Sequence, residues 1–199
     1  AIAGQITLTW TDAAQTETGF KIERKTGGTF GPLATTSANG TTYTDAGLTP
    51  HSAYSYRVRA TNAGGDSAYT GEASALTLPA APTALTVSAL SSTQLELNWT
   101  DNNPSPPAVK VERSGDGGNS YFQVGATAGG ITSYRDSGLT ALATYIYRVR
   151  AANATGNSDY SSIASGTTLP TPPAAPGGLT AVAQSAGAVQ LSWQDNSST

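Results

Sequence analysis

The chain repeats itself. Shifted by about ninety residues, Ile6-Thr7-Leu8-Thr9-Trp10-Thr11-Asp12 falls on Leu95-Glu96-Leu97-Asn98-Trp99-Thr100-Asp101, and again on Val189-Gln190-Leu191-Ser192-Trp193-Gln194-Asp195. Phe20-Lys21-Ile22-Glu23-Arg24 matches Val109-Lys110-Val111-Glu112-Arg113 at an offset of 89. Tyr43-Thr44-Asp45-Ala46-Gly47-Leu48-Thr49 then matches Tyr134-Arg135-Asp136-Ser137-Gly138-Leu139-Thr140 at 91, as Tyr56-Arg57-Val58-Arg59-Ala60 matches Tyr147-Arg148-Val149-Arg150-Ala151. The extra residues fall in Ser114-Gly115-Asp116-Gly117-Gly118-Asn119-Ser120, the kind of segment a hairpin loop tolerates. Repetition at this period means one structural unit copied in tandem, not one large core.

Each element of the unit alternates with period two. Ile6, Leu8 and Trp10 face one way and Thr7 and Thr9 the other; Tyr54, Tyr56, Val58 and Ala60 alternate with Ser55, Arg57, Arg59 and Thr61. Successive strand residues point to opposite faces, so each run offers one apolar face and one wet face. Turn residues punctuate the runs at Thr26-Gly27-Gly28, Ala38-Asn39-Gly40, Asp45-Ala46-Gly47 and Ala63-Gly64-Gly65-Asp66. The pattern predicts an all-β chain of two-sheet sandwiches.

Composition narrows the function. Ten Lys+Arg against thirteen Asp+Glu leave a net charge of −3, and charged residues are 12% of the chain, about half the usual quarter. That field is too weak for a nucleic-acid binder or for docking on anionic lipid. No cysteine is present, which removes disulfides, thiolate metal sites and cysteine nucleophiles, and there is one histidine. The four prolines between Pro170 and Pro176 break the longest uncharged stretch, so no membrane insertion is expected. The chain begins Ala1-Ile2-Ala3-Gly4, without Met or a signal-peptide pattern, and reads as a piece of a longer exported bacterial or archaeal product.

The residues resemble tandem fibronectin type III domains of the bacterial or archaeal secreted kind. The resemblance rests on the strand-B tryptophans Trp10, Trp99 and Trp193, on Leu48-x-Pro50-x-x-x-Tyr54 continuing into Tyr56-x-Val58-x-Ala60, and on Asn62-x-x-Gly65-x-Ser67. The second copy has Leu139-x-Ala141-x-x-x-Tyr145, Tyr147-x-Val149-x-Ala151 and Asn153-x-x-Gly156-x-Ser158, departing only in Ala141 for Pro50. It implies immunoglobulin-like, seven-stranded sandwiches of strand order A-B-C-C′-E-F-G. Trp10 and Trp99 are then core, and Tyr54 and Tyr145 are corner tyrosines whose hydroxyls bond backbone near the E–F turn.

Three segments follow: 1–79, a unit lacking its strand A; 80–171, a complete unit with strand A near Ala84 to Ala89; and 172–199, a linker with strands A and B of a third. Leu78-Pro79-Ala80-Ala81-Pro82 and Leu169-Pro170-Thr171-Pro172-Pro173-Ala174-Ala175-Pro176 read as short, semi-rigid spacers. Half a sandwich cannot bury its core. Either the chain is a window on a longer array, or strands of one copy complete the open sandwich of the next, head to tail.

Reactive chemistry is sparse. His51 falls in the E–F turn, where its second-copy counterpart is Leu142, and reads as a solvated loop residue. Asp101-Asn102-Asn103 and Asp116-Gly117-Gly118-Asn119 fit turn chemistry better than a calcium loop. Tyr69 and Tyr160 occupy equivalent places after the F–G bend, where a ring either stacks on a sugar or packs against the sheet edge. Arg57/Arg59 and Arg148/Arg150 are expected to meet Glu23 and Glu112 across strand C as ordinary surface pairs, worth about 0.2–1 kcal/mol each. Asn39-Gly40-Thr41, Asn98-Trp99-Thr100, Asn153-Ala154-Thr155 and Asn196-Ser197-Ser198 match the N-glycosylation sequon, and no Arg-Gly-Asp tripeptide occurs. We therefore expect no catalytic, metal or cofactor residue. The reading is a non-catalytic structural module of an extracellular or cell-surface protein, part of a fibre or filament formed with other copies or flanking repeats. The alternative is a spacer or accessory module of a secreted glycoside hydrolase or adhesin, with a polysaccharide or cell surface as partner.

Overall fold

A computed structural model describes residues 3–197, and within them every regular element is a strand. In unit one, β1 (Gln5–Thr9) pairs antiparallel with β4 (Thr42–Ala46). Against them lies a sheet of β3 (Thr29–Ser37), β2 (Gly19–Thr26), β5 (Ala53–Asn62) and β7 (Ala73–Leu76) in that order, with the short β6 (Gly65–Asp66) on the far end of β5. Unit two has β8 (Thr83–Ala89), β9 (Gln94–Thr100) and β12 (Ser133–Ser137) in one sheet, ordered β12-β9-β8. Its second sheet runs β11 (Phe122–Thr127), β10 (Ala108–Ser114), β13 (Thr144–Ala152), β14 (Ala164–Thr167). A hairpin of β15 (Gly177–Ser185) and β16 (Ala188–Gln194) follows. Unit two thus carries the full A-B-C-C′-E-F-G order.

The alternation places one side of every strand between the sheets. Leu95, Leu97, Trp99, Val109, Val111, Leu139, Tyr147 and Val149 form one continuous core in unit two. Unit one has two smaller clusters, Ile6-Leu48-Tyr54-Tyr56 and Phe20-Ile22-Val58, with Leu8 and Leu33 touching both. Trp99 is 5% exposed, as a core residue should be. Trp10, expected to be its equal, is only half-buried against Phe20, because no described strand covers the outer edge of β1 as β8 covers that of β9. Trp193, on the isolated hairpin, is 61% exposed.

The corners are built alike. The Tyr54 hydroxyl accepts the Thr49 N–H (3.0 Å) and that of Tyr145 the Thr140 N–H (3.1 Å). Two buried threonines close the same corners. Thr77 Oγ1 donates to the Thr49 carbonyl (2.8 Å) and accepts the Ser52 N–H (3.0 Å), and Thr168 Oγ1 does likewise with Thr140 (2.6 Å) and Ala143 (3.1 Å). Beyond each F–G turn, Ser67 and Thr70, or Ser158 and Ser161, accept N–H groups of the F strand through their hydroxyls. These short side chains stand in for a ladder that the irregular backbone has left, which accounts for the serine of the Asn-x-x-Gly-x-Ser pattern.

The spacers differ. In the first, Leu78, Pro79 and Pro82 are buried, and Asn103 holds Ala80 through both its amide oxygen (2.8 Å) and nitrogen (3.2 Å) while Asn102 Nδ2 donates to the Ala81 carbonyl (2.7 Å). In the second, residues 169–176 are all exposed. Asn196 repeats the Asn102 contact on Ala175 (3.0 Å), but Ser197 stands where Asn103 stands in unit two.

Candidate functional site

Three side-chain clusters draw the polar residues together. The first lies between the sheets. Asp45, on β4, receives both Arg24 Nη1 (2.9 and 3.1 Å) and the Tyr56 hydroxyl (2.9 Å); Asp136 receives Arg113 Nη1 (2.8 and 3.0 Å) and the Tyr147 hydroxyl (2.7 Å). Both carboxylates are under 5% exposed. Burial, and then the hydrogen bond to the carboxylate, push the Tyr56 and Tyr147 hydroxyls far above the ordinary phenol range. The sequence marks Asp45 only as a turn residue; the recurrence of Arg and Tyr at equivalent places in both copies is the signal that betrays the triad.

The second cluster covers the outer face of the C′-C-F-G sheet. The Arg57 guanidinium sits 3.8 Å from the ring centre of Tyr69 and 4.2 Å from that of Phe30; Arg148 sits 3.8 Å from Tyr160 and 4.0 Å from Tyr121. Glu23 accepts Arg57 (2.6 Å) and the Tyr69 hydroxyl, and Glu112 accepts Arg148 (2.8 Å), Arg150 (2.9 Å) and the Tyr160 hydroxyl (2.9 Å). Two expectations are corrected. Arg59 turns to Asp66 (3.0 Å) instead of Glu23, because the F–G turn of unit one swings that carboxylate beside Lys21 and Arg59. Glu112 is no ordinary surface partner: it is 5% exposed and shared by two guanidiniums. The stacked arginines pack the Tyr69 and Tyr160 rings against the sheet.

Burial alone would raise the Glu112 carboxyl, but hydrogen bonds from Arg148 and Tyr160 and the Arg150 and Arg148 charges outweigh it and hold it below the ordinary glutamate range. A carboxylate depressed on folding stabilises fully above its unfolded value and loses that contribution as the pH falls through the folded one. Unit two of wild type is therefore expected to lose melting temperature below about pH 4.5. Calorimetry across pH 2–7 checks this against Glu112→Gln, which should show a shallower acid limb.

The third cluster joins the two units. The side chain of Asn153, in the F–G turn of unit two, donates from Nδ2 to His51 Nδ1 (3.0 Å) and to the Thr77 carbonyl (2.8 Å), both in unit one. Its Oδ1 accepts the N–H groups of Thr155 (2.9 Å) and Gly156 (3.1 Å), and Thr155 Oγ1 donates to the Leu76 carbonyl (2.8 Å). A Cβ on Gly156 would lie 3.1 Å from Leu78 Cδ2, so the turn presses closely on the end of unit one. His51 is thus half-buried in a joint, not a solvated loop residue.

The remaining candidates resolve as local structure. Ser120, through hydroxyl and N–H, and Ser114 hold the Asp116 carboxyl far below the usual range and close the hairpin loop. Asp101 Oδ1 accepts the Asn103 N–H (2.9 Å) and Nδ2 (2.8 Å), orienting the amide that holds the spacer. Among the described residues no three His, Cys, Asp or Glu side chains converge on a point. Of the sequons, Asn39 lies at an exposed turn and Asn98 on the exposed face of β9, Asn153 is consumed by the joint, and Ser198 lies outside the described residues.

The fibronectin type III domain profile matches residues 3–75 and 80–167. The chain belongs to this family. Exoglucanase B of Cellulomonas fimi is 32% identical over 217 aligned residues, covering 98% of this chain but only 19% of the enzyme. A two-domain fibronectin type III segment of chicken tenascin superposes with a TM-score of 0.55 at 15% identity, covering 83% of this chain and 92% of the segment. The FN1–FN3 domains of chicken CNTN1 match at 18% identity with a TM-score of 0.44, over 97% of this chain and 72% of theirs. Tandem fibronectin type III sandwiches are therefore the fold.

Proposed function

We propose that this fibronectin type III pair is a non-catalytic spacer in an extracellular protein, holding neighbouring parts of a longer polypeptide at a set distance. The joint carries the reading. Asn153, Thr155 and the buried Leu78-Pro79 segment replace a flexible tether with hydrogen bonds and packing between units one and two. The polar clusters serve the same end, since every strongly held carboxylate is matched to an arginine or hydroxyl within the sandwich. The similarity to 19% of exoglucanase B supports a parent of the carbohydrate-degrading kind, in which this segment separates functional domains. The exposed, proline-rich second spacer then acts as a semi-rigid arm between this pair and the hairpin that follows it.

Spin labels on exposed positions of the two units test it. Wild type is expected to give one narrow distance distribution, and Asn153→Ala a clearly broadened one, with unit one's melting temperature nearly unchanged and unit two's lowered slightly by the two turn N–H groups that Oδ1 no longer accepts. A distribution already broad in wild type would overturn the spacer reading.

A further inference from the structure

The joint between units one and two closes on a neutral imidazole. Four contacts fix the Asn153 amide. Oδ1 accepts the N–H groups of Thr155 (2.9 Å) and Gly156 (3.1 Å), and Nδ2 donates to the Thr77 carbonyl (2.8 Å) and to His51 Nδ1 (3.0 Å). An amide nitrogen has two hydrogens and no lone pair to offer, so His51 Nδ1 is the acceptor of the pair. The ring proton therefore sits on Nε2. The ring's attachment does not depend on its charge. His51 holds φ 49° in the E–F turn with its N–H on the Leu78 carbonyl (3.2 Å), and Leu142 holds φ 53° at the equivalent place.

Protonation removes that acceptor. An imidazolium donates from both nitrogens, so neither orientation of the ring gives Asn153 Nδ2 a lone pair. The amide cannot turn over in response. Flipped, its oxygen would face the Thr77 carbonyl and its nitrogen the Thr155 and Gly156 N–H groups, opposing like partners at three of the four contacts. No other charge takes part at the joint. The segments that meet there are the E–F turn of unit one (48–53), the end of β7 with the first spacer (76–82) and the F–G turn of unit two (152–158), and His51 is the one titratable side chain in their sequence. In the flanking segments of unit two, Asp101 is engaged by Asn103 and Asp159 is exposed.

We propose that His51 is a pH-sensitive latch. Neutral, it accepts Asn153 and holds units one and two in one arrangement. Protonated as the pH falls from about 8 to 5, it releases the F–G turn of unit two and lets the units move against each other. The latch rests on the spacer reading and adds a condition to it: the spacer is stiff above the range in which imidazole gains its charge and loose below it.

The spin-labelled chain, measured at steps between about pH 8 and about pH 5.5, tests it above the acid limb expected from Glu112. Wild type should be narrow at the alkaline end and, at the acid end, as broad as Asn153→Ala, with both units still folded by calorimetry. His51 is the only histidine, so nitrogen-15 spectra report its ring alone. They should show the proton on Nε2 at the alkaline end, and the broadening should follow the ring's titration in the same samples. His51→Asn tolerates the left-handed backbone, puts an acceptor oxygen in the place of Nδ1 and has no proton to gain, so it should lose the pH response. A wild-type distribution narrow throughout, a proton on Nδ1, broadening that does not track the ring, or acid broadening shared by His51→Asn overturns the latch and leaves the spacer reading standing. A wild-type distribution broad at the alkaline end overturns both.

Discussion

Trp99→Ala is expected to lower the stability of unit two by about 3–5 kcal/mol. The indole is 5% exposed and packs with Leu95, Leu97, Val149 and Tyr147 in a single core, which cannot collapse without moving both sheets. A small domain has about 5–15 kcal/mol in all, so the change approaches unfolding. The repeat supplies internal controls. Trp10→Ala should cost less, because that ring is half-buried before truncation, and Trp193→Ala should stay within about 0.5 kcal/mol. Two units need not melt together, so calorimetry resolving their transitions is the measurement, not one two-state fit. Equal losses at Trp99 and Trp193 would contradict the assignment of the cores.

Asp136→Ala is expected to cost unit two about 3 kcal/mol, leaving the Arg113 charge without its partner and the fully buried Tyr147 hydroxyl without an acceptor. Tyr147→Phe removes one neutral donor and should cost less, about 1–2 kcal/mol, since the carboxylate keeps its arginine. The order of the two variants separates ion-pair loss from hydroxyl loss: if the phenylalanine variant were the less stable, the carboxylate would not be the centre of the triad. Asp45→Ala should repeat the effect in unit one, whose transition moves while that of unit two does not.

The triads also show where sequence reasoning ended. Alternation in Ala53–Asn62 assigns Tyr56 to the interior and Arg57 to the surface without reference to anything distant, because side-chain direction in a strand is a local property. Turn residues likewise locate the F–G bend, and the shift from 89 to 91 locates the hairpin insertion. None of this names partners. Arg24 meets Asp45 across twenty-one residues, and Arg59 pairs with Asp66 and not Glu23 because the F–G turn places that carboxylate 3.0 Å from its guanidinium. His51 shows the limit most clearly, since its neighbour Asn153 is 102 residues away and belongs to another sandwich.

What the sequence by itself determined was the unit, its all-strand class, its inward and outward faces, its corner tyrosines and its copying in tandem. Period-two alternation and turn chemistry act over a few residues and survive in the text of the chain. What only the tertiary structure decided was which charges pair, that two arginines share Glu112, and that Asn153 locks one unit to the next. Those depend on distances between segments remote in the chain, which strand register and sheet packing create.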